Sequence, residues 1–298
     1  MKNLISTSDL SDIQIESILS KAKACKFNSL INNSNKNQRK IIISLFFENS
    51  TRTRTSFDIA VQKIGAKIIH LDVLRSSINK GETIEDTILN ISSMNPDLLI
   101  IRHESNGFPK KISSIINTPI INAGDGSNLH PTQALIDLYT IIDEYGIDNL
   151  NGKVVSIIGD ISNSRVANSN IELLKRFGMK VILVCPKEFI GKIKYSNLEI
   201  IEDIEKAIDK SNILIRLRTQ TERSNDYNEK FLEKYAKDYC ITEKLIKDKN
   251  LIILHPGPVH RNIDISDNVL KDKRCKVLNQ VENGIYIRMA ILDLILNG

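Results

Sequence analysis

The feature that most constrains this chain is an alternation of short apolar runs with stretches of helical periodicity, sustained from end to end. Ile41 to Phe47 is apolar at every position except Ser44, the mark of a strand buried on both faces. A helical pattern follows from about Thr53 to Ile64, where Gly65 stops it. The same rhythm gives strands at Lys67–Asp72, Asp97–Arg102 and Pro119–Ala123, separated by helices at Thr83–Met94 and Lys110–Ile116. A long amphipathic helix from about Pro131 to Tyr145 closes this first series. A second series opens after the segment 146–152, with strands at Val154–Ile158, Val181–Cys185, Ile213–Arg216 and Leu251–Leu254. Its helices fall at Ser164–Phe177 and about Ile201–Lys210, and a strongly apolar helix runs from Gly284 to Leu296. Strands separated by helices of about 10–15 residues form parallel βαβ units. The expected fold class is therefore α/β, with two doubly wound parallel-sheet domains joined by interdomain helices, the first over 1–146 and the second over 147–283. In open sheets of this kind ligands sit outside the carboxyl ends of the strands. The chemistry is expected directly after each strand, and the unusual polar clusters of the sequence fall there.

Composition narrows the function classes. Apolar residues make up 41 % of 298 and tryptophan is absent, so the cores are aliphatic. A net charge of +5 and a pI near 8.9 favour anionic ligands. The positive charge is dispersed, with no basic tract interleaved with aromatics, which disfavours nucleic acid. Cys25, Cys185, Cys240 and Cys275 lie far apart, with no CxxC and no histidine at ligand spacing. No metal centre is expected, and reduced thiols of a cytoplasmic protein are the natural reading. The first residues read as a capped amphipathic helix carrying Asp9 and Asp12, not as a signal peptide, and no apolar run approaches the ~18 residues of a membrane span.

The most informative segment is Phe46-Phe47-Glu48-Asn49-Ser50-Thr51-Arg52-Thr53-Arg54-Thr55. Here a buried strand runs into hydroxyls and two arginines at the start of a helix. Helix N-terminal amides and their dipole favour an anion. The hydroxyls of Ser50, Thr51 and Thr53 add donors, and Arg52 adds a planar fork matched to phosphate oxygens. Ordinary capping also explains Ser and Thr at a helix start. The interleaved arginine and the strand directly upstream favour a dianion such as phosphate. The GxxxxGK[ST] spacing of a P-loop is missing, so a nucleoside triphosphate is not the expected ligand.

Further segments fall at strand ends and helix mouths. Arg102 ends a strand with a cation, either solvated or facing an anion. Pro131 suits a first helical turn, which leaves His130 just outside the helix and Gln133 one turn in. His130 then serves as a cap or as a donor to a developing oxyanion. The segment Ser76-Ser-Ile-Asn-Lys80 reads either as an exposed loop or as a ligand contact. Arg165 and Arg218 each lie beyond a strand. The sequence Ile158-Gly-Asp-Ile-Ser-Asn-Ser-Arg165 lacks the GxGxxG of a dinucleotide loop. In His255-Pro-Gly-Pro258 two prolines around Gly257 fix a turn and leave carbonyls as acceptors.

FFENSTRTRTSF resembles the phosphate-binding signature of the aspartate and ornithine carbamoyltransferases, and HPTQ, HPGPV and the segment from Gln280 to Ala290 are similar to further family motifs in the same order. The resemblance covers nearly the whole chain. It implies transfer of a carbamoyl group from carbamoyl phosphate to L-aspartate in de novo pyrimidine (UMP) biosynthesis, with no cofactor. It assigns carbamoyl phosphate to Ser50, Thr51, Arg52, Thr53, Ser76, Lys80, Arg102, His130, Gln133, Pro256 and Gly257. It assigns aspartate to Lys80, Arg165, Arg218 and Gln220, and catalysis to Arg52, Thr53, Lys80, Arg102 and His130. Arg54 becomes a structural partner, and Glu48 a closure residue that pairs with Arg165 and Arg223. The last helix, 284–298, is implied to pack back on the first domain. A homotrimer with shared active sites is implied, Ser76 and Lys80 reaching a neighbour's site. Regulatory chains or a dihydroorotase-like partner remain open. The HCLP and SMG motifs of ornithine enzymes are absent; the turn resembles the HPGPVNRG of aspartate enzymes, departing at His260 and Asn262. The competing readings are an ornithine or other N-carbamoyltransferase and an inactive scaffold subunit of the same family.

Overall fold

The computed structural model describes residues 1–27, 37–71, 82–190, 195, 197–219 and 229–298. The chain divides into two compact units, residues 1–139 with 281–298 and residues 140–280.

The N-terminal unit begins with helix α1 (Asp12–Lys26), whose N-cap Ser11 accepts from the Gln14 amide while the Gln14 side chain accepts from the Ser11 amide. Strand β1 (Ile41–Phe46) leads into α2 (Thr51–Lys63), followed by β2 (Lys67–Leu71), α3 (Ile84–Ser93), β3 (Leu98–His103), α4 (Phe108–Ser113), β4 (Ile120–Asp125) and α5 (Pro131–Tyr145). The strands form one parallel sheet in the order β2-β1-β3-β4. The inner strands β1 and β3 hold their aliphatic residues between helices on both faces. Leu45, Leu99 and Ile101 pack with Ile88, Phe108 and Ile112 in one buried cluster. That arrangement explains why their sequences are continuous apolar runs instead of alternating ones.

The C-terminal unit contains β5 (Val154–Ile158), α6 (Arg165–Arg176), β6 (Lys180–Val184), α7 (Lys187–Ile190), β7 (Glu199–Ile201), α8 (Ile204–Lys210), β8 (Ile213–Arg216), α9 (Glu229–Tyr239), α10 (Glu243–Ile246) and β9 (Ile252–Leu254). Its parallel sheet has the order β7-β6-β5-β8-β9. The final helix, α11, runs from Val277 to Asn297, beginning before the expected start at Gly284. Gly284 is an interior position held by close packing, not a helix terminus. A Cβ there would come within 2.7 Å of Arg288 Nη1 and 3.3 Å of Ile136 Cδ1. Both divisions between the units fall within helices, α5 and α11.

Register sets the strand tips level in each sheet. Phe46 pairs with Arg102, and His103 with Asp125. Ile158 pairs with Arg216, and Ile215 with Leu254. Every segment that leaves a strand at its carboxyl end therefore emerges on the same edge as its neighbours.

Candidate active site

In the N-terminal unit, the chain leaves β1 at Phe46 and enters α2 at Thr51. Ser50 is the N-cap of α2, yet its side chain makes no capping hydrogen bond. The N-caps Ser11, Thr83, Ser164 and Asp203 all accept from an amide of their own first turn. The first turn of α2 holds no acidic residue either. Its leading amides have no intrahelical acceptor by geometry, so this end of the helix presents N–H donors and the positive end of its dipole outward. Thr53 is buried one turn into the helix. Arg54 donates from Nε to His70 Nδ1 at 3.2 Å, and His70 Nε2 lies 3.1 Å from Asp58 Oδ1. Arg54 is thus tied to β2, away from the helix mouth.

Arg102 ends β3 almost fully buried. Its Nη1 donates to Ala123 O at 3.2 Å, and its Nη2 makes a short ion pair with Glu48. A buried cation needs an anion; here Glu48, from the same strand-to-helix segment as Ser50, supplies it. Arg223, one of the two arginines expected to pair with Glu48, lies outside the described residues.

The loop from β4 to α5 is organised by Asp125, which the sequence reading passed over. Asp125 Oδ1 accepts from Asn122 Nδ2 at 2.9 Å and from the Leu129 amide at 3.1 Å. Its Oδ2 accepts from the Gly107 amide at 2.6 Å and from Asn128 Nδ2 at 2.8 Å. These bonds deliver His130 to the start of α5, where its carbonyl accepts from the Gln133 and Ala134 amides. The buried His130 ring has Nδ1 3.4 Å from Thr132 Oγ1. Gln133 Nε2 donates to Asp137 Oδ1 at 2.7 Å, four residues on. Ser50, Thr51, Arg52, Thr53, Arg102, His130 and Gln133 thus all lie at the carboxyl edge of one sheet or at the helix starts that follow it.

The C-terminal unit repeats the scheme. Gly159 to Ser164 follows β5, Leu217 to Thr219 follows β8, and His255 to Pro258 follows β9. The half-buried Arg165 is the first residue of α6, and the half-buried Arg218 stands two residues beyond β8. Pro256 and Gly257 lie in the turn after β9, where Gly257 has φ of 69° and so takes a conformation glycine tolerates. Ser76, Lys80 and Gln220 lie outside the described residues.

Two of these loops share an anchor that the motifs do not reveal. Asp264 is fully buried. Its Oδ1 accepts from Thr219 Oγ1 at 2.7 Å and lies 3.2 Å from Arg216 Nη2. Its Oδ2 accepts from the His260 amide at 3.0 Å and faces His255 Nε2 at 3.0 Å. His255 Nδ1 accepts from the Gly257 amide at 2.8 Å, which assigns the proton to Nε2. One carboxylate therefore holds the segment carrying Arg218 and the turn carrying Pro256 and Gly257. Burial alone would raise the Asp264 pKa, but the Arg216 charge and the bonds from His255 and Thr219 outweigh it and hold the carboxyl well below its usual range. The only sequence signal was a charge at the end of an otherwise apolar strand, Arg216.

The cysteines are free thiols, buried at Cys25, Cys185 and Cys240 and half-buried at Cys275. Among the described residues no group of three or more His, Cys, Asp or Glu side chains could hold a metal ion, and no helix is long and apolar enough to cross a membrane.

Comparison with known proteins gives a consistent result. The family model for the carbamoyl-P binding domain of aspartate/ornithine carbamoyltransferase matches residues 2–143, and that for the Asp/Orn binding domain matches residues 151–295. The aspartate carbamoyltransferase catalytic subunit of Sulfurimonas denitrificans is 52 % identical over 295 residues, covering 98 % of both chains. That of Helicobacter hepaticus is 49 % identical, covering 98 % of this chain and 97 % of its own. Among solved structures, aspartate transcarbamoylase from Trypanosoma cruzi in complex with carbamoyl phosphate and aspartate superposes with a TM-score of 0.84 at 32 % identity, over 98 % of this chain and 95 % of that one. The catalytic subunit of M. jannaschii aspartate transcarbamoylase gives 0.82 at 35 % identity, over 99 % and 98 %.

The Asp264 cluster makes a testable statement about stability. Asp264→Asn strands Arg216 without its counter-ion and should cost about 3–5 kcal/mol at pH 7. A depressed carboxyl pKa contributes stability above the unfolded value of about 3.9 and loses it as pH falls towards the folded one. Thermal melts between pH 7 and pH 3 should show the gap between wild type and variant closing below about pH 4. A gap constant across that range would remove the charge from the account.

Proposed function

We propose, from the premise that this chain belongs to the aspartate/ornithine carbamoyltransferase family, that it is an aspartate carbamoyltransferase of de novo pyrimidine biosynthesis. It transfers the carbamoyl group of carbamoyl phosphate to L-aspartate, giving N-carbamoyl-L-aspartate and phosphate. The observation that carries the site assignment is the uncapped N-terminus of α2. A serine in the N-cap position that leaves its helix uncapped, ahead of an arginine, suits a ligand that brings its own oxygens.

On this reading the N-terminal unit takes the donor. Ser50, Thr51, Arg52 and Thr53 hold the phosphate, Arg102 spans phosphate and carbonyl oxygen, and Gln133 binds the carbamoyl NH2. The C-terminal unit takes the acceptor, with Arg165, Arg218 and Gln220 on its carboxylates and the Pro256 and Gly257 carbonyls as acceptors for N–H groups. The neutral amine of aspartate attacks the carbonyl carbon and a C–N bond forms. Thr53, Arg102 and His130 stabilise the oxyanion, and such preorganised donors are worth about 3 kcal/mol each. The carbon–oxygen bond to phosphate then breaks, and the departing phosphate takes the amine proton. No protein base is needed, so rate comes from positioning and electrostatics.

The ion pair between Arg102 and Glu48 fits this order of events. Glu48 is the anion on Arg102, and on binding the donor's oxygens replace it. We read the assembly as a cytoplasmic homotrimer in which Ser76 and Lys80 complete a neighbour's site; the motif around Lys80 supports the shared site, and the free thiols suit a reducing compartment.

Two measurements test the reading. Steady-state turnover with carbamoyl phosphate should occur with L-aspartate and not with L-ornithine, and Arg52→Ala should lower kcat about 10²–10³-fold. Preference for ornithine, or no turnover at all, would select the sister activity or a scaffold role. Native mass spectrometry should give three copies of the 33.7 kDa chain; a monomer with full activity would exclude shared sites.

A further inference from the structure

Helix α11 carries a buried cation that no carboxylate among the described residues meets. Arg288 is 4 % exposed. Its Nη1 donates to Ser56 Oγ at 2.8 Å and to Gly284 O, one turn back, at 3.1 Å. Its guanidinium carbon lies 4.9 Å from the centroid of the Phe57 ring. Among the described residues no acid pairs with it, and burial pulls its pKa down to about 9. Two buried strand arginines are treated differently, Arg102 facing Glu48 and Arg216 facing Asp264. A buried charge left without a counter-ion is costly, and a ring face offsets only part of that cost.

Its surroundings indicate what the charge could serve. Ser56 lies three residues after Thr53 and four after Arg52, on the same face of α2. Gly284 brings α11 close enough for Arg288 to reach that face, since a Cβ at Gly284 would sit 2.7 Å from Nη1 and 3.3 Å from Ile136 Cδ1. Ile136 lies three residues after Gln133 on α5. The guanidinium thus stands behind the first turns of the two helices whose starts carry Ser50 to Thr53 and His130 with Gln133.

We propose that Arg288 is a supporting cation for the phosphate of the donor, its counter-ion being the dianion bound at the start of α2. The proposal rests on the reading of α2 given above. Arg288 does not touch the ligand; it acts through one to two helical turns of protein, about 5–11 Å. Across that distance an effective dielectric near 20 leaves a unit charge a sizeable effect on a dianion, and burial protects it from salt. The same charge is a liability to the ligand-free chain. Loss of the charge should therefore weaken phosphate binding without weakening the fold, whereas a packing role would do the reverse.

The test is calorimetric titration of the full chain with inorganic phosphate, beside thermal melts without it, for wild type, Arg288→Met, Arg288→Gln and Ser56→Ala. Both neutral variants should bind phosphate about three- to thirtyfold more weakly. Ligand-free Arg288→Met should melt no lower than wild type. Ser56→Ala, which loses the hydrogen bond and keeps the charge, should bind within about twofold of wild type. Wild-type affinity in the neutral variants, an equal loss in Ser56→Ala, or a destabilised ligand-free Arg288→Met would each overturn the proposal. A wild type that binds no phosphate would instead overturn the reading of α2, and this inference with it.

Discussion

Parallel pairing with level strand tips is the constraint on which the rest of the structure depends. Hydrogen bonding in register sets Phe46 beside Arg102 and Ile158 beside Arg216, although each pair is more than fifty residues apart in sequence. Each crossover helix returns the chain to the far end of the sheet, so every strand delivers its last residues to one edge. Polar segments that would be scattered in an antiparallel meander are gathered there. The apolar runs that form the strands and the polar clusters that follow them are two results of one topology.

Charge placement at those edges follows a common rule with different partners. Arg102 and Arg216 end inner strands, where water cannot solvate them, and each finds a carboxylate within its own unit. The Asp264 carboxylate is enclosed and accepts from Thr219, His255 and the His260 amide as well as facing Arg216, which suits a permanent anchor. The Glu48 pair is partly open and stands beside a helix start whose serine does not cap, which suits an exchangeable one. Arg288 has the same burial, with no acid beside it among the described residues. The differences between these three arginines separate scaffold from site more sharply than residue type does.

Much of this was legible in the sequence, for physical reasons that can be named. The buried strands read clearly because Leu98–Ile101 is a continuous apolar run and Ile41–Phe46 is broken only by Ser44. Strand β7 was missed because its three residues, Glu199–Ile201, are an exposed sheet edge without an apolar run. Helix α9 was missed because its apolar positions are diluted by charge in EKFLEKYAKDY. Gly284 read as a helix start, whereas close approach of Arg288 requires it inside α11. Motif residues such as Arg52, His130 and Arg165 announced themselves by lying in the polar segments that lead from a strand into the next helix. Asp264 and Arg288 did not, because Arg216, Thr219 and Ser56 lie far from them along the chain, and Asp125 did not, because its loop hydrogen bonds form no motif. Ser76, Lys80 and Gln220 rest on the sequence resemblance alone, since they fall outside the described residues.

The central claim is that the start of α2 is an anion site and that its anion displaces Glu48 from Arg102. A crystal structure of the full chain grown with inorganic phosphate tests it directly. The account predicts phosphate against the first-turn amides of α2, touching Ser50, Arg52 and Thr53, with Arg102 turned from Glu48 to the phosphate oxygens. Phosphate bound elsewhere, with Ser50 capping its own helix and Arg102 still on Glu48, would contradict it.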